Sequence, residues 1–296
     1  MALRRFSDRI SRGWICPSVK LPESLARGWA ASPVIPGARL LLDCRGRQIY
    51  KAQLERSGRP HSCFIHFFRN QSFSRSLRRT HAFHILQISE KMKREGLQTL
   101  DVLAALKPKG ETLNWNSLLI ASEIEEVNEL PSAGRHVFQV HRAVEFDASI
   151  ASTLANELSD FHDSRFIHGD LKTRHLLAKV PDLTDVSGNG MKRFHFVDLE
   201  KCKHHPFLPS SLLDVLTARD LVQLFASLPM NANGKNLLPL KSQFLAEYFT
   251  ARGLSKRRIQ VIQGILGLYS PGGALRQGRT LLASLADQFR RGSSQD

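Results

Sequence analysis

A chain of 296 residues, 42% of them hydrophobic, is long enough to bury the core of two lobes or two small domains, which excludes a disordered protein. No apolar run reaches the roughly 18 to 20 residues of a membrane span, and no secretory signal stands at the start. The four cysteines include no Cys-x-x-Cys pair, so neither a disulfide framework nor a thiolate zinc site is indicated. We therefore expect a cytosolic protein with reduced thiols.

The basic charge is concentrated in the N-terminal third of the chain. Residues 1–100 contain 19 Lys and Arg against 6 Asp and Glu, which is +13 of the formal net charge of +15. This asymmetry indicates an acidic partner, such as nucleic acid, anionic lipid or a phosphorylated substrate. We do not expect nucleic acid, because the basic third lacks an aromatic-studded sheet motif.

The first predicted element is a basic N-terminal arm, residues 1–28. Leu3, Phe6, Ile10 and Trp14 would share one face of a helix that also carries several arginines. This composition is typical of an interfacial helix on a membrane surface, while a frayed basic tail and a transit peptide are the alternatives.

A small sheet with one helix is predicted next. Residues 38–44, 48–54 and 62–68 form three short strands of an antiparallel meander, joined by "RGR" and by "ERSGRPH". The stretch "SRSLRRTHAFHILQISEKMKREG" repeats large residues every three or four positions and predicts a helix that ends near Gly96. The buried strand "WNSLLIAS" follows it.

The second half of the chain has a helical pattern. After the acidic connector "EIEEVNEL", Asp147 is placed to cap a helix with one apolar face, and "SLLDVLTARDLVQLFASL" predicts another. At least two more helices are expected after Ser255. The expected domain boundaries are residues 29–125 for the sheet lobe, 126–290 for the helical lobe and 291–296 for a disordered tail.

Two motifs carry the candidate chemistry, "FIHGDLKTRHLLAK" and "FHFVDLEK". Phosphoryl transfer from a nucleotide needs an acceptor-only group that orients the attacking hydroxyl, a cation for the migrating phosphate, and ligands for a divalent metal. Asp170, Lys172 and Asp198 suit these roles in that order. His175 stands five residues after Asp170, where the protein-kinase pattern H-x-D-x-x-x-x-N has a metal-binding Asn, and is the second candidate metal ligand.

The motifs "HGDLKTRHLL" and "FVDLEK", behind a small basic lobe, resemble the lipopolysaccharide kinase family (Kdo/WaaP type) of bacterial sugar kinases. The resemblance spans residues 38–230 and implies an α+β, protein-kinase-like fold with a small antiparallel-sheet lobe and a mainly helical lobe. It implies ATP and Mg²⁺ as cofactors and a heptose or Kdo sugar hydroxyl as acceptor. Family members can carry His at the kinase Asn position, as His175 does here. In "TARDLVQLFASL", the resemblance implies that Asp220 braces the catalytic loop.

The sheet lobe departs from the kinase pattern. Only Gly46 stands in the first hairpin, so the sequence has no Gly-rich loop there. Lys51 matches the V-A-I-K pattern locally but lies on the second strand, whereas the third strand offers His66 at the expected place. Both are candidates for the phosphate-binding position. Glu90 and Glu95, the acids available on the helix, stand late in it.

The favoured function is an ATP-dependent sugar kinase that phosphorylates a lipopolysaccharide core precursor. It would act as a peripheral protein at the cytoplasmic face of the bacterial inner membrane, with the anionic membrane surface as a second partner. A pseudokinase-like regulatory protein is one alternative, favoured by the missing glycines and the missing helix Glu. A phosphotransferase acting on a small molecule or a protein is another, because "HGDL" also resembles aminoglycoside and choline kinases.

Overall fold

A computed structural model of the chain describes residues 3–8, 11–22, 25, 35, 37–44, 46–69, 80–109, 115–125, 127–130, 146–179, 194–228, 231–232, 235–236 and 238–268. The chain divides into two compact units. The first contains Met1–Glu129, Arg135–Val144 and His175–Glu200, and the second contains Leu130–Gly134, Glu145–Arg174 and Lys201–Asp296. Residues 175–200 thus cluster with the first unit, while the boundaries expected for the two lobes stay predictions.

The first unit is built on an antiparallel sheet. Its strands in the described ranges are β1 (Arg4–Ser7), β2 (Ser11–Ile15), β3 (Val19–Lys20), β4 (Arg39–Cys44), β5 (Arg47–Arg56), β6 (Arg59–Arg69), β7 (Val102–Pro108) and β8 (Trp115–Ser122). They follow the order β1-β2-β7-β8-β6-β5-β3. Strand β3 pairs with the last two residues of β5, whereas β4 pairs with the first half of β5. The predicted meander is confirmed as β4, β5 and β6.

One helix connects β6 to β7. Helix α1 (His81–Arg94) follows Thr80, and Gly96, just beyond its end, has a φ of 71°, which glycine adopts without strain. Its buried residues are Ala82, Ile85, Leu86, Ile88, Ser89 and Met92. The predicted helix ending near Gly96 is confirmed, while Leu77, in the first part of the predicted stretch, lies outside the described residues.

The N-terminal segment is a β-hairpin, so the predicted interfacial helix is wrong. β1 pairs with β2, and β2 pairs with β7, which makes the hairpin an extension of the main sheet. Burial alternates along β2, with Gly13 and Ile15 buried and Arg12 and Trp14 exposed, as a half-buried strand requires. The edge of β7 offers unpaired backbone groups, and satisfying them outweighs a helical spacing of apolar residues. Ile10 lies outside the described residues.

The described part of the same segment also covers one face of the sheet. Ile15, Cys16 and Val19 are buried in one cluster with side chains of β5, β6, β7 and β8. Helix α1 packs on the opposite face, where the backbone N–H of Ala82 donates to Ser117 Oγ. The sheet is thus covered on both faces within the first unit.

A second, three-stranded sheet completes the first unit. It has the order β12-β11-β9, with β9 (Val127–Glu129), β11 (Leu176–Lys179) and β12 (Phe194–Phe196). Thr99 Oγ1 donates a hydrogen bond of 2.8 Å to the backbone carbonyl of Phe196, and Phe196 N–H donates to the carbonyl of Gln98. These bonds fix the end of β12, and Asp198 follows two residues later.

The second unit is mainly helical. The helices that the structure describes here are α2 (Ala148–Asp163), α3 (Ser210–Ser227), α4 (Leu238–Ala251) and α5 (Lys256–Leu268). Helix α2 packs on α4, and α3 packs on α5. Short strands pair β10 (Phe166–Ile167) with β13 (Lys203–His204), and β14 (Asn231–Ala232) with β15 (Lys235–Asn236).

The predicted helices α2 and α3 are confirmed, including the cap, because Asp147 Oδ1 accepts the backbone N–H of Ile150 at 2.8 Å. Helix α4 was not predicted. Of the two or more helices expected after Ser255, α5 is described, and the segments 269–290 and 291–296 lie outside the described residues. None of the described helices combines the length and the apolar character needed to cross a membrane.

Candidate active site

The loop that follows β10 is held by one face of helix α3. Asp220 is fully buried, and its carboxylate accepts the backbone N–H groups of His168 at 2.6 Å and Gly169 at 2.9 Å. Further along the same helix face, Gln223 Oε1 accepts the N–H of Leu171 at 3.0 Å, and Ser227 Oγ accepts that of Thr173 at 2.9 Å. The spacings of three and four residues place the acceptors in one row. Asp220 therefore braces this loop, as the resemblance implied.

Gly169 is required at its position in this loop. Its φ is 75°, and a Cβ atom there would lie 2.8 Å from the backbone oxygen of Lys201. A side chain at this position would be strained in its backbone conformation and would also collide with a fixed backbone group. The loop can therefore pass close to the chain after β12 only because residue 169 has no side chain.

Asp170 lies between two lysines of the second unit. Its Oδ1 atom is 2.7 Å from Lys172 Nζ, and its Oδ2 atom is 3.2 Å from Lys201 Nζ. Burial by itself would raise the pKa of Asp170, but the hydrogen bonds and charges of the two lysines outweigh it and lower that pKa to about 2. Asp170 is therefore ionised at neutral pH and can only accept hydrogen bonds. Lys172 was predicted here, whereas Lys201 was missed, although it stands in the quoted motif "VDLEK".

The first unit brings together the two candidate metal ligands. Asp198 Oδ2 lies 3.3 Å from His175 Nε2, and the backbone N–H of Val197 donates to the carbonyl of His175 at 2.9 Å. Asp198 has a φ of 57°, which is uncommon for any residue other than glycine. Such a backbone conformation costs free energy and is concentrated at functional sites.

This pair fits a magnesium ion in part. Mg²⁺ prefers oxygen ligands and is held by one or two carboxylates, with water and substrate phosphates supplying the rest. The Asp198 carboxylate meets this requirement, whereas the imidazole of His175 is a softer ligand. Among the residues that the structure places, no group of three or more His, Cys, Asp or Glu is gathered that could hold a metal ion.

The two candidates for the phosphate-binding cation lie in different environments. His66 is on β6, the third strand of the meander. Burial and the positive charge of Arg47 lower the pKa of His66 to about 4, although the negative charge of Asp198 acts to raise that pKa. His66 is thus neutral at physiological pH. Lys51 is on β5, and its Nζ atom forms an ion pair of 2.7 Å with Glu123 Oε1, just beyond the end of β8.

Sequence reasoning missed a third cation, Arg47. Its Nη1 atom lies 3.2 Å from Asp198 Oδ1 and also contacts Glu200 Oε1. Burial acts to lower the pKa of Arg47, but the two carboxylates outweigh it and raise that pKa above its ordinary value. The weak signals in the sequence were the "RGR" turn, whose last residue is Arg47, and an acid placed two residues after Asp198.

Comparisons with known proteins identify a family and similar folds. A family model described as "Lipopolysaccharide kinase (Kdo/WaaP) family" matches residues 59–252. Among solved structures, the chain is similar to "WaaP in complex with acyl carrier protein", at 17% identity and a TM-score of 0.52, over 85% of this chain and 95% of that one.

A second similar structure is the Rio2 kinase–ADP/Mg²⁺–phosphoaspartate complex from Chaetomium thermophilum, at 14% identity and a TM-score of 0.41, over 98% of this chain and 82% of that one. No curated protein sequence matches the chain. The similarity to WaaP shows a shared fold, and the predicted α+β, protein-kinase-like fold is confirmed.

Proposed function

Because the chain belongs to the lipopolysaccharide kinase (Kdo/WaaP) family, we propose that it transfers the γ-phosphoryl group of ATP to a sugar hydroxyl of the lipopolysaccharide inner core, on a heptose or a Kdo residue. The family match makes the chain an ATP-dependent phosphotransferase, and it includes both motifs that carry the candidate chemistry. The identity of the sugar acceptor, the residues that bind the nucleotide and the metal, and the association with the membrane are what we propose.

The observation that carries the proposal is Asp170, paired with Lys172 and Lys201 on the loop that Asp220 holds by hydrogen bonds. With a pKa of about 2, this carboxylate is a weak base, so it orients the acceptor hydroxyl by accepting its hydrogen bond and does not ionise it beforehand. As the new bond from the sugar oxygen to the γ-phosphorus forms, the bond to the β-phosphate oxygen breaks. ADP leaves, and the hydroxyl proton passes to Asp170 and then to solvent.

The remaining charges supply electrostatic stabilisation. Lys172 and Lys201, which contact Asp170 in the structure, would neutralise charge on the phosphoryl group during transfer. Asp198, with His175 beside it, would hold Mg²⁺, and that ion would neutralise the β- and γ-phosphates of the nucleotide. Catalysis would then come mainly from positioning and electrostatics.

A transfer assay with purified protein tests this proposal. The protein is incubated with labelled ATP, Mg²⁺ and a deacylated lipopolysaccharide core that carries heptose and Kdo, and the label is located by mass spectrometry of the sugar. Label on the core sugar in wild type, and its loss in Asp170→Asn, is the expected result. In parallel incubations with an aminoglycoside, choline or a protein as acceptor, label on one of these with the core left unmodified would instead favour the small-molecule or protein phosphotransferase.

The second candidate is the pseudokinase-like regulatory protein. The observation that favours it is the neutral His66 at the place of the kinase lysine, since an uncharged side chain there cannot neutralise phosphate charge. Nucleotide binding without transfer to any acceptor, measured by calorimetry beside the same assay, would support this candidate over the kinase.

We also propose that the protein acts at an anionic membrane surface, as a peripheral protein on the cytoplasmic side of the inner membrane. The support is the net charge of +13 in residues 1–100 and one face of the β1–β2 hairpin. Arg5 lies opposite Trp14 and Ser7 lies opposite Arg12, so Arg5, Arg12 and Trp14 share that face, and all three are exposed. We call these three residues the basic hairpin face. A basic surface with an exposed tryptophan suits anionic lipid head groups.

A further inference from the structure

A kinase site needs a permanent positive charge on the nucleotide phosphates and an acid that holds this cation in place. In protein kinases a third-strand lysine and a helix glutamate supply these groups. Here the third strand supplies His66, which is neutral at physiological pH. On helix α1, Glu90 lies 3.8 Å from Lys93, and Glu95 is the residue that ends the helix. The third strand therefore lacks the permanent cation, and the described part of helix α1 shows no glutamate paired with such a cation.

Arg47 supplies the missing charge from the neighbouring strand. In the register of β5 against β6, Ile49 lies opposite His66 and Arg47 lies opposite Phe68. Residues 47 and 49 point to the same face of the sheet, so Arg47 is the diagonal neighbour of His66, at about 7 to 8 Å between Cα atoms, within reach of a long side chain. Its guanidinium group contacts Asp198, the candidate metal ligand.

Lys51 shares this face but lies at a different place along β5. It stands four residues beyond Arg47, which is about 13 Å along a strand. Its ammonium group is paired with Glu123, which follows β8. The structure thus places Arg47 beside Asp198, the candidate metal ligand, and pairs Lys51 with Glu123.

Glu200 takes the part of the helix glutamate. Arg47 Nη1 contacts both Asp198 and Glu200, so a metal ion that recruits Asp198 would still leave Glu200 to hold the guanidinium group. A guanidinium group has five N–H donors, and both contacts that the structure gives use the Nη1 nitrogen. Donors on the other two nitrogens suit two phosphate oxygens at once, as arginine does in many phosphate sites.

We propose that Arg47, positioned by Glu200, binds the β- and γ-phosphates of the nucleotide, and that the Arg47–Glu200 pair replaces the lysine–glutamate pair of protein kinases. The proposal rests on the proposed function, because it adds residues to the same nucleotide site. It also explains how a chain with His at the lysine position can keep a positive charge on the phosphates. An arginine remains protonated at every physiological pH, so this charge is permanent.

Nucleotide binding without metal tests the proposal. The affinities of ATP and adenosine are measured by calorimetry in EDTA, so that the metal ligands do not contribute. We expect Arg47→Ala to weaken ATP binding about tenfold or more while adenosine binding stays at the wild-type level, since only ATP carries the phosphates. Arg47→Lys should recover part of the loss, because it restores the charge but not the two-pronged contact.

Two further variants test whether ATP binding depends on how Arg47 is positioned or only on positive charge anywhere on the protein. Glu200→Gln should weaken ATP binding several-fold and leave adenosine binding unchanged, as expected for a residue that positions the cation. Arg59→Ala is the matched control, because Arg59 is exposed at the turn between β5 and β6. It should bind both ligands as wild type does. The melting temperature of each variant without ligand shows that it is folded.

The outcomes distinguish this inference from the proposed function. If wild type binds ATP and Arg47→Ala binds it equally well, or if Lys51→Ala alone loses the phosphate-dependent affinity, the inference is overturned and the proposed function stands. If wild type binds no ATP under any condition, both are overturned. If Arg47→Ala does not fold, Arg47→Gln is measured in its place. An ATP affinity of Arg47→Gln equal to that of wild type would also overturn the inference.

Discussion

The carboxylate of Asp220 accepts the backbone N–H of Gly169 at 2.9 Å, and so a helix of the second unit fixes the residue immediately before Asp170. The same carboxylate accepts the N–H of His168 at 2.6 Å, and Asp220 and His168 are both fully buried. The position of the candidate base thus depends on one buried acid that lies fifty residues away in the sequence.

We expect Asp220→Ala to lower the free energy of unfolding by about 2 to 4 kcal/mol, because it removes the acceptor of two backbone donors, one of them buried and the other partly buried. Asp220→Asn should lower the free energy of unfolding by less, because the amide oxygen can still accept one of the two N–H groups. Urea denaturation measures both values, and Ser211→Ala, at an exposed position of the same helix, is the control. An unfolding free energy for Asp220→Ala within error of wild type would contradict the bracing role.

Gly169→Ala should destabilise the protein more than Gly58→Ala does. Both glycines have a positive φ, 75° and 77°, so both alanine variants share the backbone strain. A Cβ at residue 169 also meets the Lys201 carbonyl at 2.8 Å, whereas no atom of the described residues lies within 4 Å of a Cβ at residue 58. The clash should add about 1 to 3 kcal/mol to the loss at residue 169, as measured by thermal or urea unfolding. Equal losses in the two variants would show that the close approach at Lys201 is not present.

The contribution of Asp170 to stability should depend on pH in a defined window. Its pKa is depressed from 3.8 to about 2 in the folded protein, so its charge stabilises the fold above about pH 4, and this contribution is lost as the pH falls towards 2. The difference in unfolding free energy between wild type and Asp170→Asn should therefore be constant at neutral pH and change between about pH 4 and pH 2. A constant difference across that range would show that the two lysines do not lower this pKa.

Asp198→Asn should abolish the effect of Mg²⁺ on ATP binding while leaving binding in EDTA. The amide keeps the shape of the side chain, and Asn also tolerates the positive φ of this position, so only the charge of the metal ligand is removed. Calorimetric titration with ATP, with and without Mg²⁺, measures the change, and Asp43→Asn on β4 is the control. A full Mg²⁺ effect in Asp198→Asn would mean that other residues hold the ion.

The basic hairpin face should bind anionic vesicles in a salt-dependent way. Each Lys or Arg near an anionic surface contributes roughly 1 kcal/mol, and salt screens this attraction over a Debye length of about 8 Å at physiological ionic strength. We expect co-sedimentation with vesicles that contain phosphatidylglycerol, weaker binding as salt rises, and a loss in the double variant Arg5→Glu, Arg12→Glu. Arg59→Glu, on another hairpin, is the matched charge control. Equal binding to neutral phosphatidylcholine vesicles would contradict this assignment of the basic face.

The sequence alone determined the parts of this protein that depend on local periodicity. Short strand-like stretches separated by turn residues predicted the meander of β4, β5 and β6, and the spacing and content of apolar residues predicted α1, α2 and α3. Asp147 was recognised as a cap because capping involves a backbone N–H only three residues away. The motif around Asp170 and the strand that ends before Asp198 were visible for the same reason, since each lies within a short stretch of chain.

The tertiary structure alone decided which distant residues meet. The N-terminal segment carries apolar residues at a helical spacing, yet the open edge of β7 pairs with it as a strand, because long-range backbone hydrogen bonds override a local preference. Arg47 contacts Asp198 across 151 positions of sequence, and Lys201 contacts Asp170 across 31. A charged side chain shows no periodicity that would reveal its partner, so these pairings follow only from the order and register of the folded strands.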